Sequence, residues 1–240
     1  DRALARRVSA ELERWDLTVD DSAGQPLTET PPGVFLRLTA AMVIEQSAPI
    51  PLLATLKHPL AAGGMGPPVF RDMVRELEIA ILRGPRPPAG ISGLRNALAG
   101  DEDHATELDN WLATLAGGMT AFENIMAGGA TSLSALLRAH VEWAETLATT
   151  DDTAGPLRLW AGPAGEALAR FIAELDEAAR DLGDIHPTAY PGLLEALLSG
   201  KVVRPPFGTH PRLSILGPLE ARLLRPDVLV LAGLNEGTWP

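Results

Sequence analysis

Over the first fifteen residues, DRALARRVSAELERW, apolar side chains recur at Leu4, Val8, Leu12 and Trp15, while Arg6, Arg7 and Arg14 fall on other faces. That spacing predicts an amphipathic helix. LTVDD (17–21) predicts a short strand and SAGQPL (22–27) a turn. In TPPGVFLRLTAAMVIEQ (30–46), Thr30 is the candidate N-cap, Pro31 suits the first helical position, and Val34, Phe35, Leu38 and Met42 form the apolar stripe. From Pro49 to Gly200 the periodicity stays helical, with no convincing alternation of period two. Helices are predicted in 49–58, stopped by Pro59; in 69–83, ended by Gly84; and in 104–126, with Gly117-Gly118 as a candidate break. Further helices follow in 131–148, capped by Thr131 or Ser132, in 163–183 from Pro163, and in 190–200. AAGGMGPP (61–68) and RPPAGISG (86–93) read as Pro/Gly connectors.

Strand-type sequence appears only near the two ends. After the basic, proline-rich KVVRPPFGTHPR (201–212) come LSIL (213–216) and DVLVLAGL (227–234). The second run is apolar almost throughout, as expected of a parallel strand covered on both faces, and NEGTWP (235–240) follows at its carboxyl end. An isolated strand near residue 18 is unstable without partners. The simplest arrangement joins both ends in one layer. The expected fold is therefore mainly α with a small α/β part. Residues 1–45 and 201–240 form a discontinuous α/β domain, and 46–200 an all-helical insertion.

Composition narrows the function. The chain has 240 residues, 46% apolar and 5% aromatic, which suits a helix-rich globular protein with a sizeable core. No apolar run approaches the roughly 18–20 residues of a membrane span. The absence of cysteine removes disulfides, thiolate metal sites and a Cys nucleophile, and it fits a cytoplasmic location. The five histidines are scattered, so no metal site is expected. Residue 1 is Asp rather than Met, and the chain reads as a piece of something longer. A net charge of −11 argues against strong nucleic-acid binding across the whole surface. Acid is concentrated in DEDHATELD (101–109) and ELDEAARDLGD (174–184), which read as solvated helix faces.

Enzyme motifs are weak. AGPAGEALA (161–169) lacks the Gly-Lys-Ser/Thr ending of a phosphate loop and no strand precedes it, so it reads as a proline-started helix. GGMG (63–66) fails the dinucleotide pattern, no Gly-x-Ser-x-Gly elbow exists, and nothing selects a carboxylate pair for acid–base work. His140 reads as a partly buried core residue. In GPLEARLLRP (217–226), Glu220 and Arg222 either hold each other as a structural pair or face a phosphate or ribose at a sheet edge.

These residues carry a resemblance. SILGPLEARLLRPDVLVLAGLNEGTWP (214–240) resembles the helicase-like region of the AddB family, subunits of AddAB helicase–nucleases that process DNA double-strand breaks, in its alphaproteobacterial form. DRALARRVSAELERWDLTVDDSAGQPLTETPPGVFLRL (1–38) is similar to an earlier block of that family, and LLATLKHPL (52–60) with RELEIAILRGPRPP (75–88) to its helical insertion. The resemblance implies a split RecA-like domain (2A-type) interrupted by an all-helical 2B-type insertion, and a partner subunit of the AddA type that supplies a helicase motor. It places Gly217, Glu220, Arg222, Asn235, Glu236 and Gly237 in a motif-V-like region. The His-Ser pair and Gly-x-Glu of active motors are missing there, so no catalytic residue is expected. ATP and an iron–sulfur cluster belong, on this resemblance, only to the parent complex.

Lys201, Arg204, Arg212, Arg222 and Arg225, with Arg6 from the other end, are the DNA-binding candidates, since that C-terminal segment holds a single acid before Asp227. The expected function is a noncatalytic, helicase-like module of a double-strand-break repair and recombination subunit, guiding DNA, single-stranded for preference, within a heterodimer. The alternative is an acidic helical scaffold that docks to the partner subunit without touching DNA. An ATP-dependent enzyme ranks last, because the phosphate loop and its lysine are missing.

Overall fold

The computed structural model describes residues 2–98, 105–204, 210 and 212–232. In chain order the elements are α1 (Arg2–Glu13), β1 (Asp20–Asp21), β2 (Gln25–Pro26), α2 (Pro31–Ile44), α3 (Pro49–Leu56), α4 (Pro67–Leu77) and α5 (Gly90–Leu98). Then follow α6 (Ala105–Met126), α7 (Leu133–Ala148), α8 (Gly155–Leu159), α9 (Gly162–Ala178), α10 (Tyr190–Ser199), β3 (Val202–Val203), β4 (Ser214–Ile215) and α11 (Pro218–Ala221). The protein is mainly helical with few strands. It divides into two compact units, Gln25–Val203 and the pair Asp1–Gly24 with Arg204–Pro240.

The helical unit is built around α2. PPGVFLRLTAAMVI is apolar on nearly every side, the pattern of a helix surrounded by others. It buries Phe35, Leu36, Met42 and Val43 and packs against α3, α6, α7, α9 and α10. Thr30 caps it, its Oγ1 accepting the Gly33 N–H at 3.3 Å, and Pro31 stands in the first turn. A boundary at residue 45 therefore cuts at the wrong place for this helix. Helix α2 lies in the unit that can cover all its faces, not with the terminal segments.

Two other elements differ from their sequence signals. Helix α6 runs unbroken through Gly117-Gly118. A Cβ on Gly118 would lie 3.2 Å from the Trp143 ring, so the glycine is a notch that lets α6 approach α7. Helix α4 does not stop at a simple cap but widens into a π turn over Glu78–Leu82, which turns Ile81 into the core. For α7 the cap is Ser132, which accepts the Ala135 N–H at 3.2 Å.

Among the described residues the helical core holds one fully buried imidazole. His140 on α7 stacks on Phe122 of α6 at 4.8 Å, with Nε2 2.8 Å from Thr39 Oγ1 and Nδ1 2.8 Å from the Tyr190 hydroxyl. Thr39 donates its own proton to the Phe35 or Leu36 carbonyl, both at 3.0 Å. It therefore accepts from Nε2–H, and Nδ1 accepts from Tyr190. This neutral tautomer satisfies every donor. Burial pushes the His140 pKa down to about 3 and the Tyr190 hydroxyl well above its usual value.

An unexpected ladder closes the unit. Strand β2 pairs antiparallel with β3, Gln25 opposite Val203 and Pro26 opposite Val202, and the Leu27 N–H donates to Lys201 O at 2.8 Å. The chain thus enters and leaves the helical unit through neighbouring strands.

In the terminal unit, β1 pairs parallel with β4, Asp20 opposite Ser214 and Asp21 opposite Ile215. A parallel pair needs a long crossover, and here the intervening chain is the whole helical unit. The expected strand in DVLVLAGL does not form over 227–232, and residues 233–234 lie outside the described part. Val228, Leu229, Val230 and Leu231 are 61–81% exposed. A continuous apolar strand is stable only with neighbouring strands and cover on both faces, and two-residue strands offer neither. The stripe of α1 is likewise outside the core, with Leu4, Val8 and Trp15 exposed.

Candidate nucleic-acid interface

Arg212 lies two residues before β4, on backbone fixed by His210. The His210 Nδ1 accepts the N–H of Arg212 at 3.2 Å and of Leu213 at 2.9 Å. After β4 the chain turns at Gly217 into α11, where Pro218 takes the first helical position. Glu220, at the third, accepts the Gly217 N–H at 2.8 Å and also the Ser22 hydroxyl. That second bond ties α11 to the residue following β1. The Ser22 bond first, then the Gly217 amide and the charge of Arg204, hold the Glu220 carboxyl below its ordinary range.

Glu220 and Arg222 therefore do not form the structural pair that their spacing suggests. The carboxylate is a local cap and a tie to β1, and no ion pair joins it to Arg222. Among the described residues Arg212, Arg222 and Arg225 are exposed and form no ion pair, and Arg204 is exposed beside the charge of Glu220. Arg6 is exposed on α1, and Arg14 beyond it pairs with Glu11 at 3.1 Å. Lys201 stands apart. It belongs to the helical unit, where its ammonium lies 3.4 Å from Glu174 and 5.6 Å from the centre of the Phe171 ring. Asn235, Glu236 and Gly237 lie outside the described residues.

Charge is divided unevenly between the units. The terminal unit carries 8 arginines against 9 acidic residues, and the helical unit 12 basic residues against 22 acidic ones. The acid excess of the chain thus resides in the helical unit. Some of its carboxylates are matched locally: Asp109 accepts both Arg95 Nε and Nη2 at 2.6 and 2.8 Å, and Asp176 pairs with Arg138 at 2.9 Å. The guanidinium beside each holds its carboxyl low.

Exposed guanidinium groups with no carboxylate partner can take phosphate oxygens bidentately, at little cost in broken ion pairs. They position a phosphate backbone and read no base. Among the described residues no group of His, Asp and Glu is arranged to hold a metal ion, and no helix is long and apolar enough to cross a membrane. The tie from Ser22 to Glu220 spans 198 positions and has no signal in the sequence. The turn held by His210 does have one, a histidine between prolines and strand. Compared with protein-family models, curated proteins and solved structures, the chain matches none.

Proposed function

We propose that this chain is a noncatalytic, helicase-like module that holds single-stranded DNA through its terminal unit, within a double-strand-break repair subunit of the AddB type. The single observation that carries this reading is the set Arg204, Arg212, Arg222 and Arg225. All four are exposed on one segment whose only acid before Asp227, Glu220, is engaged as a local cap by the Gly217 N–H and the Ser22 hydroxyl. A split RecA-like domain with a 2B-type insertion would bring its two chain ends together as a parallel pair and send the helical unit out as one excursion. The β1–β4 pairing and the β2–β3 closure support that architecture. On this reading an AddA-type subunit supplies the motor, and ATP and the iron–sulfur cluster belong to the parent complex.

The test is fluorescence anisotropy of labelled single-stranded DNA at about 50 and 200 mM salt. Binding should weaken steeply with salt, and Arg212→Ala and Arg222→Ala should each lower affinity for all sequences alike, flattening the salt slope by about 0.7. No binding at low salt by the folded chain overturns the reading.

One observation favours a second reading, an interaction scaffold docking to a partner subunit. The run Val228–Leu231 is an exposed apolar patch in the terminal unit, and such patches mark protein contacts. A chain that binds no DNA but captures the partner subunit would establish that alternative.

A further inference from the structure

A cavity of about 460 Å³ opens in the helical unit between the end of α2, the Ala89–Gly90 connector and the last turns of α6. Val43, Ile44, Met126 and Ala127 supply apolar wall, and Gln46 and Glu123 are polar groups on its lining. Glu123 is half-buried and has no hydrogen-bond or ion-pair partner among the described residues. Burial alone pushes its carboxyl up. The other screened carboxylates of this unit differ: Asp109 has Arg95, Asp176 has Arg138, and Glu78 has Lys57 and Arg83. A half-buried carboxylate on an apolar wall is only partly hydrated, and a cation beside it would complete its shell.

The backbone at the lining residue Gln46 and at Ser47 beside it is strained. Gln46 and Ser47 both adopt left-handed backbone, φ 51° and 53°, although neither is glycine. Two such residues in succession cost about 1–2 kcal/mol each. They are held there by the Ser47 N–H on Met42 O at 2.8 Å and by the Gly90 N–H on Gln46 O at 2.7 Å. Gly90 itself has φ 78°, a conformation that residues with side chains rarely adopt. Strain of this kind gathers at ligand sites.

We propose that this cavity binds a small organic cation, an ammonium or guanidinium group on an apolar body, with Glu123 as the counter-charge and Val43, Ile44 and Met126 around the hydrocarbon. A cation there gains a charge-assisted bond in a partly dehydrated setting, where it is worth more than at the surface. An anion meets repulsion from Glu123, and a neutral ligand leaves the carboxylate uncompensated. The same chemistry is carried by a free amine and by a Lys or Arg side chain of a partner protein. The inference does not rest on the DNA-binding reading, since it concerns residues of the helical unit alone.

The chain has five methionines, of which Met126 lines the cavity. Methyl-labelled methionine therefore gives a sparse NMR spectrum with a reporter in place. Benzylamine should move the Met126 methyl signal saturably, and benzyl alcohol, its neutral isostere, should bind at least tenfold more weakly. Glu123→Gln keeps the side-chain shape and should weaken benzylamine at least tenfold, with the circular dichroism unchanged. Nα-acetyl-lysine amide binding more tightly than benzylamine would identify a protein side chain as the occupant; the reverse order, a free amine. Equal binding of the alcohol, an unaffected Glu123→Gln variant, or a Met126 signal that stays still at about 10 mM benzylamine, in the weak-millimolar range, overturns the assignment.

Discussion

Replacing His140 by Leu tests the buried network through its pH dependence. The substitution leaves the Tyr190 hydroxyl buried without an acceptor and removes the stack on Phe122, whereas Thr39 keeps its bond to the backbone. An orphaned buried hydroxyl costs about 1–3 kcal/mol and a lost aromatic contact about 0.5–1.5, so at pH 7 the variant should be less stable by about 1.5–4.5 kcal/mol. His140 has a folded pKa of about 3 against 6.5 when unfolded, so the unfolded chain binds more protons between those values. Stability from this group is complete above pH 6.5 and is lost as pH falls, by about 1.4 kcal/mol per unit. At pH 4.5 the native protein has lost about 3 kcal/mol that the Leu variant never had, because the variant lacks the titrating group. The gap between the two should therefore shrink by that amount. Urea unfolding followed by circular dichroism at pH 7 and pH 4.5 measures it, and other titrating groups cancel in the difference. A gap that stays the same at both pH values would show that His140 titrates as an exposed histidine and would refute the buried, neutral network.

Two further expectations contrast the core with the exposed run. Phe70 is fully buried and meets Trp111 edge-on at 5.7 Å, so Phe70→Ala should cost about 3–5 kcal/mol in chemical denaturation. An unchanged denaturation midpoint would remove α4 from the core. Leu229 is 72% exposed, so Leu229→Glu should leave stability within about 0.5 kcal/mol while lowering the fluorescence of a bound hydrophobic dye. A large loss of stability would mean that the run is packed after all.

The helices were legible because each bears a local signal. Thr30-Pro31 and Ser132 announce starts, and the 3.6-residue stripes through Phe70, Met73, Val74 and Leu77, or through Leu168, Phe171 and Leu175, are the same side chains that fill the core. The α2 boundary was misplaced because an apolar stretch of fourteen residues announces burial without saying which neighbours bury it. DVLVLAGL carries the composition of a buried strand, yet composition cannot supply the flanking strands, and over 227–232 the run lies exposed. Of the candidate interface, the arginines and their spacing were readable along the chain. The diversion of Glu220 to Ser22 was not, nor was the ion pair that occupies Lys201.

By itself, then, the sequence determined the helical class, most helix starts and stops, and the acidic balance, since these depend on neighbours within a few turns. Only the tertiary structure decided which arginines lack a carboxylate among the described residues, that His140 is sealed between Thr39 and Tyr190, and that Glu123 lines a cavity beside Val43, Ile44 and Met126. It also set the two short ladders, β1 with β4 and β2 with β3, each joining residues more than 170 positions apart. Two-residue strands have too few positions to show alternation, so their pairing depends on contacts distant in the chain and not on local pattern.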